Sequence, residues 1–438
     1  MNKILKREVC FTLLRFKRLV VLSTVLLLAL GVLAGPVLAA QTKLTVLSWG
    51  STDEINNRKA QVAAFEKAFP HIKVDIQVLP TDEYDRKLDA TWAAGTAADV
   101  IMMSDDWHGN RARRGVFSDL GPYIERDNLD LDSILTPGIA KGYKLPDGMR
   151  HGLPISGSSM VIAYNKDMFD QAGLTYPNPD WTWDDLKDYA VKLTDGTGIN
   201  KTYGIADHWG VASLAPHIFG GRMFNEDETE VLADDPKVVR GIEYFMDLMK
   251  KYEVMPDVNA AQGMPSVQRF FSEKAAMIML PTWDVPSFQE SIANRFAWDT
   301  VIMPADPDTG QHMTLLWTTG YAMNSQSKVK DEAWEFIKFV STSNEASEIA
   351  SEVALPSVLE VAETTFIEAA RAGWVPINMQ AFVDSFAFGT INPLGGYFAK
   401  VNDEYNRAWD AINLDRIDAE TGMKEFSEKA AVILEELK

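Results

Sequence analysis

Along this chain the spacing of apolar and polar positions changes period repeatedly, in the order expected of a parallel α/β sheet. Residues 43–48 read as a strand, and Ser51 or Thr52 then caps a helix with Ile55, Val62, Phe65 and Phe69 at helical spacing and Pro70 as its stop. Ile72, Val74, Ile76 and Val78 alternate with Lys73, Asp75 and Gln77, which predicts a strand. A second helix from Asp82 to Gly95 and a third strand over 100–103 follow. The order is βαβαβ, a half-domain with right-handed crossovers.

Further on, Gly152-Leu153-Pro154 leads through Ile155-Ser156-Gly157-Ser158-Ser159 into a strand over 160–164, and Asn165 caps a short helix closed by Gly173. Thr182 stands three residues before Asp185 in a variant of the capping box. A helix end passes into a strand over 270–280, and 315–324 reads as another strand. Ala333, Phe336, Ile337 and Val340 form one face of a helix over 332–340. Ala354-Leu355-Pro356-Ser357 reads as a loop leading to a helix capped by Ser357. Helices over 397–411 and 423–437 finish the chain.

Composition narrows what such a chain does. Its 438 residues exceed one ordinary core and imply two domains or lobes. Lys3, Lys6, Arg7, Arg15, Lys17 and Arg18 precede an apolar stretch over 19–34, then Gly35, Pro36 and small residues to Ala40; this reads as a secretory signal peptide over 1–40, cut near Ala39 or Ala40. The one cysteine, Cys10, lies before the apolar stretch, so the exported chain is expected to carry no lipid, no disulfide and no thiol chemistry. The net charge is −20, and removing that basic leader makes the remainder more acidic. Such a surface repels nucleic acid and anionic lipid.

Four times a strand-like run ends and a tryptophan follows: Trp49, Trp107, Trp209 and Trp283. Strand ends are where open α/β sheets hold small ligands. The arrangement puts flat aromatic faces, with carboxylates nearby, on loops at those strand ends. Asp53 accompanies Trp49, Asp105 and Asp106 precede Trp107, and Asp284 follows Trp283. Trp317 is a candidate comparable to Trp209, though its strand could bury it. Gly157-Ser158-Ser159 offers backbone N–H groups and the Ser158 hydroxyl to a ligand, or else is a flexible turn. Asn392 and Tyr397 flank Gly395-Gly396 as further candidates. By contrast Trp92, Trp334 and Trp409 sit at core spacing inside helices, and Trp181, Trp183 and Trp298 have no strand-end reason to meet ligand.

Several segments occur in one order: Gly152-Leu153-Pro154, the run from Val161 through Tyr164-Asn165-Lys166-Asp167 to Gly173-Leu174, Thr182-Trp183-Asp184-Asp185-Leu186, Lys274-Ala275-Ala276-Met277-Ile278 before Trp283, Gly320-Tyr321-Ala322-Met323-Asn324, Ala333-Trp334-Glu335-Phe336 and Leu355-Pro356-Ser357. Together they resemble the extracellular solute-binding proteins of ABC importers, in the sugar-binding group that includes maltose-binding proteins. They span essentially the whole chain after the leader. The resemblance implies a two-lobed α/β type II periplasmic binding protein fold, with lobe one over 41–152 plus 295–345, lobe two over 153–290 plus 350–438, and the ligand in the cleft. It implies hinge closure around a carbohydrate, with Trp283 as the stacking residue and Trp49 and Asp53 as contacts, and a monomer that delivers its ligand to permease subunits and their ATPase in the inner membrane. It implies a non-enzymatic, periplasmic protein with no cofactor.

A sugar phosphate, a polyol or another small polar solute is the nearest alternative ligand, since Arg113, Arg114 and Arg371 are available. No Walker-type phosphate loop accompanies them. A glycoside hydrolase would need two carboxylates flanking the scissile bond, and the adjacent pairs Asp105/Asp106 and Asp184/Asp185 point apart. Metal capture is weaker still, with six scattered histidines.

Overall fold

The computed structural model describes residues 41–50, 52–104, 109–139, 143–145, 147–206, 210–225, 229–368, 375–391 and 399–436. Among the described residues ten strands are joined by hydrogen bonds: β1 (Thr42–Trp49), β2 (Ile72–Leu79), β3 (Val100–Ser104), β4 (Leu153–Asn165), β5 (Tyr203–Ala206), β6 (Ala275–Pro281), β7 (Trp298–Val301), β8 (Leu315–Met323), β9 (Leu355–Pro356) and β10 (Thr390–Ile391). Their order is β2-β1-β3-β8-β4-β6-β5, with β7 and β9 added to β4 and β10 to β8. β1 pairs in parallel with β2 and with β3, as the opening βαβαβ pattern requires, and β8 then runs antiparallel to β3.

The path is two sheets joined by one strand. From Leu153 to Ser159, β4 pairs with β8; from Met160 to Tyr164 it pairs with β6, and over Ile162–Asn165 with β7 on its other edge. All thirteen residues of β4 are buried. Beyond the switch its side chains alternate between two hydrophobic cores: Val161 and Ala163 enter one, Met160, Ile162 and Tyr164 the other. The change of partner, with the helices on each sheet, makes the two α/β lobes.

The 153–159 segment departs from its expectation, since Gly157-Ser158-Ser159 is not a flexible turn but the middle of β4. Small residues are needed because other groups lie over them: a Cβ on Gly157 would meet the Phe386 ring at 2.7 Å, and one on Gly320, opposite Pro154, would meet the Leu153 carbonyl oxygen at 2.2 Å. Pro154 donates no N–H, and the register shifts between Pro154 and Ser156. Ser357 also differs from its expected role. The following helix, Leu359–Val361, has Val358 as its N-cap, while the Ser357 hydroxyl donates to the Ser341 carbonyl and Leu355–Pro356 adds a short strand to β4.

Most helices follow the pattern. The helix Trp183–Leu193 begins with the full capping box of Thr182 and Asp185, and Asn165 caps Lys166–Gln171. The first helix, Thr52–Ala68, buries Val62 and Phe65 as its spacing predicts, but also Asn57, Arg58 and Gln61. Part of this polar seam is bonded from outside: Asn57 donates to the Ile349 carbonyl and Gln61 to the Ala346 carbonyl at 3.0 Å, both on the helix Asn344–Ala350. The Asp127 carboxylate accepts from Lys338 at 2.7 Å, Trp334 Nε1 at 2.8 Å and Arg126 at 2.9 Å.

Two stability predictions follow from this packing. A Cβ at Gly204 would lie 2.1 Å from the Ala190 carbonyl oxygen, a backbone atom that cannot rotate away. Gly204→Ala should therefore lower the unfolding free energy by about 3 kcal/mol, read from the urea midpoint. The hydrogen bonds from Lys338, Trp334 and Arg126 hold the Asp127 carboxyl well below its usual pKa, so its stabilisation is complete above the ordinary carboxylate range and is lost as pH falls through the lowered value. Asp127→Asn should be less stable than the parent at pH 7, with the gap between urea midpoints narrowing at pH 3.

Candidate functional site

The register of the strands brings the strand-end aromatics toward one line. Leu47 lies opposite Ile101, so Trp49, the last residue of β1, stands level with the carboxyl end of β3. Ser104 of β3 pairs with Thr319 of β8, and Trp317 lies two residues past it, beyond the end of β3. Trp317 in turn pairs with Ser158 of β4, and Met160, two residues on, pairs with Pro281 of β6, just before Thr282 and Trp283. The carboxyl edge of the first sheet therefore leads to the point where β4 changes partner. Strand ends at a reversal of strand order are where an α/β sheet leaves a crevice.

Two aromatic contacts flank this line. The indoles of Trp283 and Trp317 meet edge to face, with centroids 5.1 Å apart and planes at 74°. Trp283 is 36% exposed, unusual for so large an apolar side chain, and Trp317 is half-buried. Two rings at nearly a right angle form a corner with two apolar walls. Trp49 meets Tyr84 edge to face at 4.8 Å, and the Tyr84 hydroxyl donates to the Met102 carbonyl. Burial raises the Tyr84 pKa well above its usual value, so this phenol is a neutral donor that braces Trp49.

The turn that carries Trp283, Thr282–Asp284, is held from β4. Ser158 is buried, and its Oγ accepts from the Thr282 amide at 3.1 Å. Thr282 Oγ1 accepts from the Ser159 amide at 3.1 Å and donates to the Ser159 carbonyl at 3.2 Å. Ser159 Oγ donates to the Phe382 carbonyl at 2.8 Å. The serine hydroxyls are thus engaged with the protein.

Of the residues singled out in the sequence, the structure brings Trp283, Asp284, Trp317 and Ser158 together and places Trp49 at the end of β1. Asp53 lies in the helix Thr52–Ala68, with its side chain outside the described residues. Asp105, Asp106, Trp107, Trp209, Asn392 and Tyr397 also lie outside the described residues, although β3 and β5 end just before the first three and before Trp209. Trp181, Trp183, Trp298 and Trp334 are buried in the cores. Sequence reasoning missed Thr282 and the contact between Trp283 and Trp317. The available signal was a hydroxyl-bearing residue next to Trp283, following a proline that ends a strand.

Among the described residues, no group of three or more His, Cys, Asp or Glu side chains could hold a metal ion. Nor is any helix among them long and apolar enough to cross a membrane.

Residues 50–346 match the family described as bacterial extracellular solute-binding protein. A binding protein of Brucella abortus is 27% identical over 283 residues, which cover 63% of this chain and 66% of that relative's length. A galactooligosaccharide-binding protein of Bacillus subtilis is 24% identical over 335 residues, covering 74% of this chain and 76% of that one. An ABC substrate-binding protein of Listeria monocytogenes, solved in complex with cycloalternan, superposes with a TM-score of 0.76 at 26% identity over 89% of this chain and 98% of that chain.

Because its hydroxyl accepts the buried Thr282 amide, Ser158→Ala should leave that N–H without a partner. The expected cost is about 1–3 kcal/mol of unfolding free energy, measured by urea titration. A change below the error of that titration would separate Ser158 from the Trp283 turn.

Proposed function

From the premise that this chain belongs to the family of bacterial extracellular solute-binding proteins, we propose that it is the substrate-binding component of an ABC importer and captures a sugar or oligosaccharide between its lobes. The observation that carries this reading is the Trp283–Trp317 corner at the point where β4 passes from one sheet to the other. Sugar rings present flat C–H faces, and an indole offers a large apolar surface at a small loss of side-chain entropy. The site lies at the junction of two lobes, so a ligand that touches both binds more tightly when they close. Only such a difference in affinity lets a ligand drive closure, and hinge closure in periplasmic binding proteins is a well-known example.

Two of the similar proteins support this ligand class: the Bacillus protein is a galactooligosaccharide-binding protein, and the Listeria structure holds cycloalternan. The basic and apolar leader over 1–40 supports export, and the absence of cysteine after Cys10 supports a periplasmic protein that is not lipid-anchored. The partners on this reading are the permease subunits and ATPase of the importer. The lobes are assigned to 41–152 with 295–345 and to 153–290 with 350–438. Trp49, Asp53, Asp105, Asp106, Trp107, Trp209, Asp284, Ser158, Asn392 and Tyr397 are the other proposed contributors. The protein binds its ligand without transforming it.

Calorimetry of the chain from residue 41 onward, against a panel of mono- and oligosaccharides with erythritol and sn-glycerol 3-phosphate as contrasts, tests the reading. Binding is expected for at least one carbohydrate, with no release of reducing ends. Tight binding of sn-glycerol 3-phosphate alone would overturn it. Trp283→Ala should weaken carbohydrate binding by roughly 2 kcal/mol or more while leaving cooperative unfolding intact. Unchanged affinity would remove Trp283 from the site.

A further inference from the structure

The last backbone pair between β4 and β6 is Met160 with Pro281. One step further the ladder is continued by a side chain. Thr282 Oγ1 accepts from the Ser159 amide and donates to the Ser159 carbonyl, at 3.1 and 3.2 Å. These are the two bonds that another backbone rung would have made, and one hydroxyl has the donor and acceptor capacity for both. The Thr282 backbone is thereby released from the ladder. Its amide turns to Ser158 Oγ instead, and the chain enters the short turn that carries Trp283.

The clasp spans the partner switch. Ser158 and Ser159 belong to the part of β4 that pairs with β8, whereas Thr282 follows β6, and Ser159 Oγ adds the helix Gln380–Asp384 through the Phe382 carbonyl. Three separate chain segments are tied within two residues of β4. Thr282 is 3% exposed, so its bonds are made in the interior, where an unpaired partner is costly.

We infer that Thr282 is a positioning residue for the ligand platform: its hydroxyl fixes the Trp283 turn to the residue at which the lobes join. A rotation of one lobe about that point is thereby transmitted to the indole. Without the hydroxyl the turn loses both bonds to Ser159 and keeps the one from its amide to Ser158 Oγ, so a ligand would have to order a looser turn on binding, at the expense of affinity. The inference rests on the carbohydrate-binding reading of Trp283, but the clasp has a consequence that needs no ligand. Trp283 should be held against Trp317 in the free protein.

Thr282→Val keeps the shape and removes the hydroxyl; Thr282→Ser keeps the hydroxyl. Carbohydrate affinity is expected to fall about tenfold in Thr282→Val and to stay within about twofold of the parent in Thr282→Ser. In the free protein, the part of tryptophan fluorescence lost in Trp283→Phe should become more accessible to acrylamide in Thr282→Val and not in Thr282→Ser. Thr282→Ala reads the same quantities should the valine variant fail to fold. Parental quenching in the folded hydroxyl-free variant overturns the inference, as does equal loss of affinity in the serine and valine variants. If the parent binds no carbohydrate, the proposed function fails, while the quenching comparison still decides the role of Thr282.

Discussion

One strand that must satisfy two sheets at once constrains everything larger in this protein. β4 is buried along its whole length, so its backbone N–H and C=O groups need partners, which come from β8 and β9 up to Ser159, from the Thr282 hydroxyl at Ser159, and from β6 and β7 from Met160 onward. The two lobes are therefore parts of one hydrogen-bonded system. Alternate residues of β4 beyond the switch face different clusters, and one cluster, with Leu44 and Val100 as well as Ile278 and Phe288, runs across both sheets.

That junction dictates its own residue types. Where β4 and β8 run together, Gly157 and Gly320 leave room for a ring and a carbonyl that no Cβ would tolerate. The serines next to them have hydroxyls small enough to reach neighbouring segments from within a strand. Beyond the junction, with no neighbouring rung left to pair, Thr282 completes the ladder with its side chain and turns the main chain outward. Trp283 stands at the start of that outward turn, which is why a large apolar ring there is partly exposed and lies against Trp317.

Much of the secondary structure was legible because its signals are local. The alternation over 72–78, the capping box at Thr182 and Asp185, and the Asn165 cap each depend on residues within one or two turns, and each forms as expected. The misread places depend on distant partners. Gly157-Ser158-Ser159 has the composition of a turn, and only Phe386 above it and β8 beside it make it a strand. Ser357 has the chemistry of a helix cap, but the Ser341 carbonyl takes its hydroxyl. The burial of the polar Asn57, Arg58 and Gln61, for which no expectation was drawn, also depends on a distant partner, the helix Asn344–Ala350 that supplies acceptors for Asn57 and Gln61.

The candidate site divides along the same line. By itself the sequence determined that strands end just before Trp49 or with it, and shortly before Trp283, because hydrophobic periodicity and its interruption are properties of neighbouring residues. Only the tertiary structure decided that Trp317, far along the chain, turns its ring edge to Trp283, and that Ser158 serves the turn beside it. A ring contact and a strand register are set by which backbones pair across the sheet. That choice is made by the packing of the whole chain, through contacts that no local stretch of residues contains.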